Sequence, residues 1–255
     1  ELCEILLRDS GRLQEEDAEY ANRRKTSKHR PALPLYTEDD AQRSLRLFRA
    51  LPFEEEREIA TGIRVRLQGA GHILGAASVR LSANATSVLF SGDLGRPDDP
   101  IMNAPAPIGK ADYVVVESTY GDRLHEAQDV EAVLGDTIRR TAARGGTVLI
   151  PAFAVGRAQS LLYAIYRLKQ RRAIPDLPVF LNSPMAIDMT DIYHRHRAEH
   201  RLSDAECAGM CKVATMVRSV EESRALNAMT YPAVIVSASG MATGGRVLHH
   251  LKTLA

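Results

Sequence analysis

Cysteine is scarce: the 255 residues include only Cys3, Cys207 and Cys211, too few for a disulfide framework and in keeping with a reducing cytoplasm. Cys207 and Cys211 stand four apart, so a helix would place them on one face. With no further cysteine nearby, that spacing alone does not define a metal site. No run reaches the roughly 18 apolar residues of a membrane span, and no stretch reads as a secretory signal; a membrane partner is not expected. Charge of one sign is missing too. The 33 basic and 32 acidic residues leave a net +1, so nucleic acid would have to be met by local patches. The chain starts at Glu1 rather than methionine, in keeping with a truncated or processed N-terminus.

What is present is average for a soluble protein, 45% hydrophobic and 25% charged, and long enough for one large or two ordinary domains. The chemistry concentrates in three stretches. Residues 69–77 read Gly-Ala-Gly-His-Ile-Leu-Gly-Ala-Ala, 91–96 read Ser-Gly-Asp-Leu-Gly-Arg, and 117–123 read Glu-Ser-Thr-Tyr-Gly-Asp-Arg. Each follows a short run with strand character: Ile63 to Leu67, Ser87 to Phe90, and Tyr113 to Val116. His72, Asp93 and Glu117 are thereby delivered to loops at strand ends, flanked by glycines that permit sharp turns and close approach. An imidazole and a carboxylate suit zinc, and an aspartate can bridge two ions. Singly, a loop histidine such as His72 more often caps a turn, and an aspartate placed like Asp93 is more often a turn former. Glu117, directly after three valines, is expected to be poorly hydrated and to need a partner or a raised pKa.

In combination these stretches resemble the third and fourth metal motifs of the metallo-β-lactamase fold and motif A of its β-CASP nucleases. Pro-Ala-Phe-Ala-Val-Gly-Arg-Ala-Gln (151–159), Asn-Ser-Pro-Met-Ala (182–186) and Ser-Ala-Ser-Gly-Met-Ala-Thr-Gly-Gly-Arg (237–246) are similar to the rest of that family's central region. The likeness is to the bacterial RNA-processing branch, related to the cleavage factor of messenger-RNA 3′-end formation. It implies an α/β chain in which residues 1–123 form part of a metallo-β-lactamase αββα domain and 124–255 a β-CASP α/β domain with a mostly parallel sheet. The family's His-x-His-x-Asp-His motif and its later motif-B and motif-C histidines do not occur here, so the chain is expected to be the middle of a longer protein, with weak zinc binding and little activity alone.

The resemblance further implies a two-zinc phosphodiesterase acting on single-stranded RNA, and leaves room for a homodimer. Within it, His72 would ligate one ion and Asp93 bridge both. Glu117 would pair with the motif-B histidine and orient or protonate the leaving group, which makes Asp93 and Glu117 the catalytic candidates.

Along the chain, residues 1–25 read as an amphipathic helix ending in the densest basic cluster, Arg23-Arg24-Lys25 with Lys28, His29 and Arg30. Thr37 caps a second helix expected to reach about Ala50. After Arg123 helix and strand alternate, which predicts a parallel sheet covered by helices. Three strand-to-helix turns there, at Arg157, at Ser183 and from Ser239 to Arg246, would offer free N–H groups to a phosphodiester. Arg157 and Arg246 would add charge and Ser183, Ser237 and Ser239 hydroxyls, with Gly240, Met241 and Gly245 shaping the last turn. Taken singly, each is a helix cap or a solvated side chain; together, and with the family likeness, they read as an RNA-binding groove. His194 and His196 sit in an arginine-rich helical stretch and read as solvated; His249 and His250 read as structural, and His125 carries no assignable role. A DNA nuclease of the crosslink-repair branch, a catalytically dead RNA-binding scaffold and a small-molecule lactamase-type hydrolase are the competing readings.

Overall fold

A glycine decides how the first two helices meet. The structure, a computed structural model, describes residues 1–124 and 128–254, so His125 lies outside the described residues. The chain divides into two compact units, Glu1–Leu51 and Pro52–Ala255. In the first, α1 (Leu2–Arg24) meets α2 (Glu38–Leu45) at the buried Gly11. A Cβ there would stand 2.7 Å from Thr37 O and Glu38 N, so no larger residue permits the crossing. Thr37 and Asp40 close a capping box on α2, and Arg8 pairs with Glu38 at 2.6 Å. The second helix stops at Leu45 instead of reaching Ala50; turns follow, and Leu47 and Phe48 are exposed.

The second unit holds two sheets. The first orders β1 (Glu56–Ala60), β2 (Ile63–Gly69), β3 (Ala77–Ala83), β4 (Thr86–Phe90) and β5 (Tyr113–Val115) side by side. Neighbours are antiparallel except β5, which runs parallel to β4. β1, unexpected from its charged sequence, exists through cross-strand pairing with β2: Glu56 opposes Arg66, Glu58 opposes Arg64, and Arg64 reaches Glu56 at 3.1 Å. The strand directions make β2, β4 and β5 all end at one edge of this sheet.

The other sheet is entirely parallel, in the order β6 (Val148–Pro151), β9 (Val234–Ser237), β7 (Val179–Asn182), β8 (Thr215–Met216). α3 (Val130–Ala143) leads into β6; between the strands run α4 (Arg157–Gln170), α5 (Pro184–Arg195), α6 (Asp204–Lys212) and α7 (Val220–Leu226), with α8 (Val247–Leu254) after β9. The expected β-α alternation is present, and the apolar run of β9 is buried throughout, as a central parallel strand requires. Leu162 and Ile165 of α4, Ile138 of α3, Leu181 and Ile235 are fully buried. No helix among the described residues is long and apolar enough to cross a membrane.

The proline-rich segment 97–107 links the two sheets. Arg201 N donates to Ile101 O at 2.8 Å, and Tyr193 Oη reaches Met102 Sδ at 3.6 Å. Gly75 N donates to Glu199 at 3.2 Å, so the loop after β2 is tied to the chain beyond α5.

At the end of β7, Asn182 is the hub of a buried polar network. Its Nδ2 donates to Ser223 Oγ at 2.8 Å and meets His250 Nε2 at 2.6 Å, while His250 Nδ1 meets Asn227 Oδ1 at 2.6 Å. These partners require a neutral ring with its proton on Nδ1, and burial pushes the His250 pKa below its ordinary 6.5. The unfolded chain takes up that proton near pH 6.5 and the folded chain only lower, so this contribution to stability is intact above about pH 6.5 and is lost as pH falls through the depressed folded value. Thermal unfolding midpoints should therefore drop between about pH 7 and pH 5, and His250→Gln should flatten that slope whatever its absolute stability.

Candidate functional site

Three loops lock together at the shared edge of the first sheet. Gly95 N donates to Ala70 O at 2.8 Å, and a Cβ on Gly95 would stand 1.9 Å from Gly71 O and 2.7 Å from His72 N. The Asp93 loop thus lies directly on the His72 loop, and only glycine allows it. Gly71, at φ +67°, packs in turn on Asn103, where a Cβ would meet the carbonyl oxygen at 2.5 Å. His72 and Asp93 are both exposed at this edge.

Glu117 completes the arrangement from β5. Leu94 N donates to its Oε1 at 2.7 Å and Thr119 Oγ1 to its Oε2 at 2.7 Å, while its own N–H donates to Ser91 Oγ at 3.0 Å. Those bonds, the Leu94 amide first and Thr119 second, together with the nearby His72, hold its carboxyl below the ordinary 4.5. The expectation of a poorly hydrated carboxylate is corrected. Val114, Val115 and Val116 are 56%, 52% and 63% exposed; successive residues point to opposite faces, so both faces of β5 are uncovered. Glu117 has its partner, and it is ionised at neutral pH, suited to orient a group and not to donate a proton. Ser91, Leu94 and Thr119 escaped notice as its anchors, although all three lie inside the quoted motifs.

His72 and Asp93 are donors of the right kind for zinc, but among the described residues no third ligating side chain gathers with them as closely as a closed shell requires. Two such side chains do not by themselves close a coordination shell.

The parallel sheet contributes a second row of loops. Ile73 Cγ2 lies 3.0 Å from the Cβ position of Gly156, so the His72 loop abuts the turn that starts α4, where Arg157 is exposed. Gly240 packs on Phe153, its Cβ position 2.7 Å from Phe153 N, and Gly245, at φ +74°, lies against Ala238 O. Met241 is exposed at 67% and Phe153 at 54%. Phe153 was missed; an aromatic in the turn just after the apolar run of β6 was the available signal.

Other expected contacts are committed inside the protein. Ser183 is the buried N-cap of α5, its Oγ accepting from Ala186 N at 3.2 Å. Ser237 is fully buried and donates to Asn182 O at 3.2 Å. Arg246 donates to Asn182 Oδ1 at 2.8 Å, Val217 O at 3.2 Å and Arg218 O at 2.6 Å, clamping β7, β8 and α8 together instead of reaching outward. Ser239 differs: among the described residues its Oγ is buried without a hydrogen-bond partner, which leaves an oxygen for a ligand to satisfy.

Comparison with known proteins matches the Beta-Casp domain to residues 158–255. A ribonuclease of Thermus thermophilus is 33% identical over 227 residues, 86% of this chain and 52% of its own length. An RNase J-like protein of Methanocaldococcus jannaschii is 31% identical over 233 residues, again 86% of this chain and 52% of its own length. The chain belongs to the β-CASP family of the metallo-β-lactamase fold. Cleavage and polyadenylation specificity factor 73 of Drosophila melanogaster, 34% identical over 165 residues, aligns with 64% of this β-CASP chain and 24% of its own length. The chain thus spans about half the length of the first two relatives. The family is metal-dependent.

The Glu117 clamp has a direct test. Glu117→Ala should speed hydrogen exchange at the Leu94 amide by about tenfold, the worth of one charge-assisted bond at a partly exposed site. Glu117→Gln keeps an acceptor and should change it less.

Proposed function

We propose that the protein is a metal-dependent ribonuclease that hydrolyses phosphodiester bonds of single-stranded RNA, using zinc. The observation that carries this reading is the convergence of His72, Asp93 and Glu117 at one sheet edge, directly beside the turn that opens α4 at Arg157. The relatives named ribonuclease and RNase J-like support it. Zinc, when bound, would lower the pKa of water and offset charge building on the phosphate. In this reading His72 and Asp93 would hold the metal, with two ions in the complete protein. Glu117 fixes the Asp93 loop through Leu94 and presents a carboxylate to orient the leaving side. The division near residue 123 into a metallo-β-lactamase part and a β-CASP part belongs to the same reading, supported by the change from a largely antiparallel to a wholly parallel sheet.

RNA would be held along the second row of loops by Arg157, Ser239, Gly240, Met241 and Gly245. Exposed Phe153 gives that row a face on which a base can stack. Splayed bases belong to single strands, and stacking with phosphate contacts needs no net basic charge on the whole chain.

The deciding experiment compares cleavage of matched RNA and DNA strands by the full-length protein with its His72→Ala and Asp93→Asn variants. RNA cleavage should fall more than about 100-fold in each, exceeding the cost of disturbing a ligand's support. Preferential DNA cleavage would favour the crosslink-repair branch, and RNA binding without cleavage a scaffold. Phe153→Ala should weaken RNA binding by about 1–3 kcal/mol, read by fluorescence anisotropy.

A further inference from the structure

Helices α5 and α6 bring an imidazole and two thiols together. The ligating atoms of His194, Cys207 and Cys211 all lie within 4.8 Å of one another, and no other such group of three occurs among the described residues. We propose that these three side chains bind a thiophilic divalent ion, zinc by preference, as a Cys₂His site whose fourth position is left to water.

Both thiols point at the last turns of α5: Cys207 Sγ is 3.9 Å from Tyr193 O, and Cys211 Sγ is 3.9 Å from Thr190 O. A cation at a helix C-terminus is favoured by the backbone dipole. Cys207 is buried, Cys211 half-buried and His194 exposed, so an ion enters from the imidazole side and settles against sulfur.

The presentation of the thiols is fixed beforehand. Gly209, between the two cysteines, meets α4 so closely that a Cβ would stand 2.2 Å from the Tyr166 ring. Tyr163 Oη donates to Glu206 at 2.7 Å, and Ser203 with Glu206 closes a capping box. These contacts set the rotation of α6 and aim Cys207 and Cys211 at α5.

A disulfide does not explain the pair. Helical residues four apart hold their Cβ atoms about 5–6 Å apart, whereas a disulfide needs roughly 3.5–4.5 Å. His200 is not the fourth ligand, although its Nε2 lies 4.0 Å from Cys207 Sγ. Nε2 faces Tyr193 O at 3.0 Å and Nδ1 accepts from Leu202 N at 3.3 Å. Arg197 Nη2 lies 3.2 Å from His194 Nδ1, a contact that only an unprotonated ring nitrogen can accept. Arg197 Nη1 is paired with Asp204, so Nη2 can give way to an ion while the guanidinium stays anchored. Two thiolates neutralise a divalent ion, so no uncompensated charge is left between the helices.

Cobalt(II) is the probe, titrated into the 255-residue chain. One equivalent should produce a thiolate-to-cobalt charge-transfer band that zinc abolishes. His194→Ala and Cys211→Ser should each weaken binding by at least about tenfold, as loss of a ligand must exceed loss of its support. Cys3→Ser should leave the band intact. If Cys211→Ser fails to fold, His194→Ala decides, because that side chain is exposed. Bound cobalt without a thiolate band, or unchanged affinity in folded His194→Ala, would overturn the site.

Discussion

The candidate site depends on one constraint, the contact of backbone on backbone where Gly95 lies across Gly71 and His72. Strand direction alone brings β2, β4 and β5 to a common edge, but the loops beyond them would be free to diverge. The Gly95–Ala70 hydrogen bond and the absence of a side chain at Gly95 join two of these loops. The bond from Leu94 to Glu117 joins the third. Each tie uses a main-chain N–H, so the geometry is set by the backbone and the ends of His72 and Asp93 are left exposed for chemistry.

Electrostatics divides the acidic side chains by role. Glu117 accepts two hydrogen bonds and stands near His72, and its carboxyl is held ionised. Asp93 is exposed. In the proposed reading a fixed carboxylate beside an exposed one suits a cation: the fixed group sets the loop, and the exposed group would supply lone pairs without the cost of breaking structural bonds.

Much of this was legible in the sequence because it depends on local pattern. Alternation marked β2 and apolar runs marked β6, β7 and β9, while glycine-flanked polar residues marked the strand-end loops. What was not legible depends on partners distant in sequence. β1 is too charged to announce itself and forms through pairing with β2. The valines before Glu117 suggested burial, yet both faces of β5 are uncovered and leave them exposed. Ser183, Ser237 and Arg246 carry the right groups for phosphate, and only the fold reveals that capping, sheet and clamp contacts already engage them. The proximity of His194 to Cys207 and Cys211 depends on how α5 and α6 pack, which neither helix's sequence states.

The inward commitment of Arg246 changes how a polyanion would be held. Its bonds to Asn182, Val217 and Arg218 fix the turn from Ser239 to Gly245 relative to β7. Removing it would disturb that turn before it removed any phosphate contact. Affinity in the proposed reading therefore comes from a rigid surface that carries the exposed Arg157, with Phe153 and Met241 beside the Gly240 turn. The part of that affinity that comes from stacking should persist as salt rises, because only the phosphate contacts release counterions. A chain with a net charge of +1 can hold RNA on those terms.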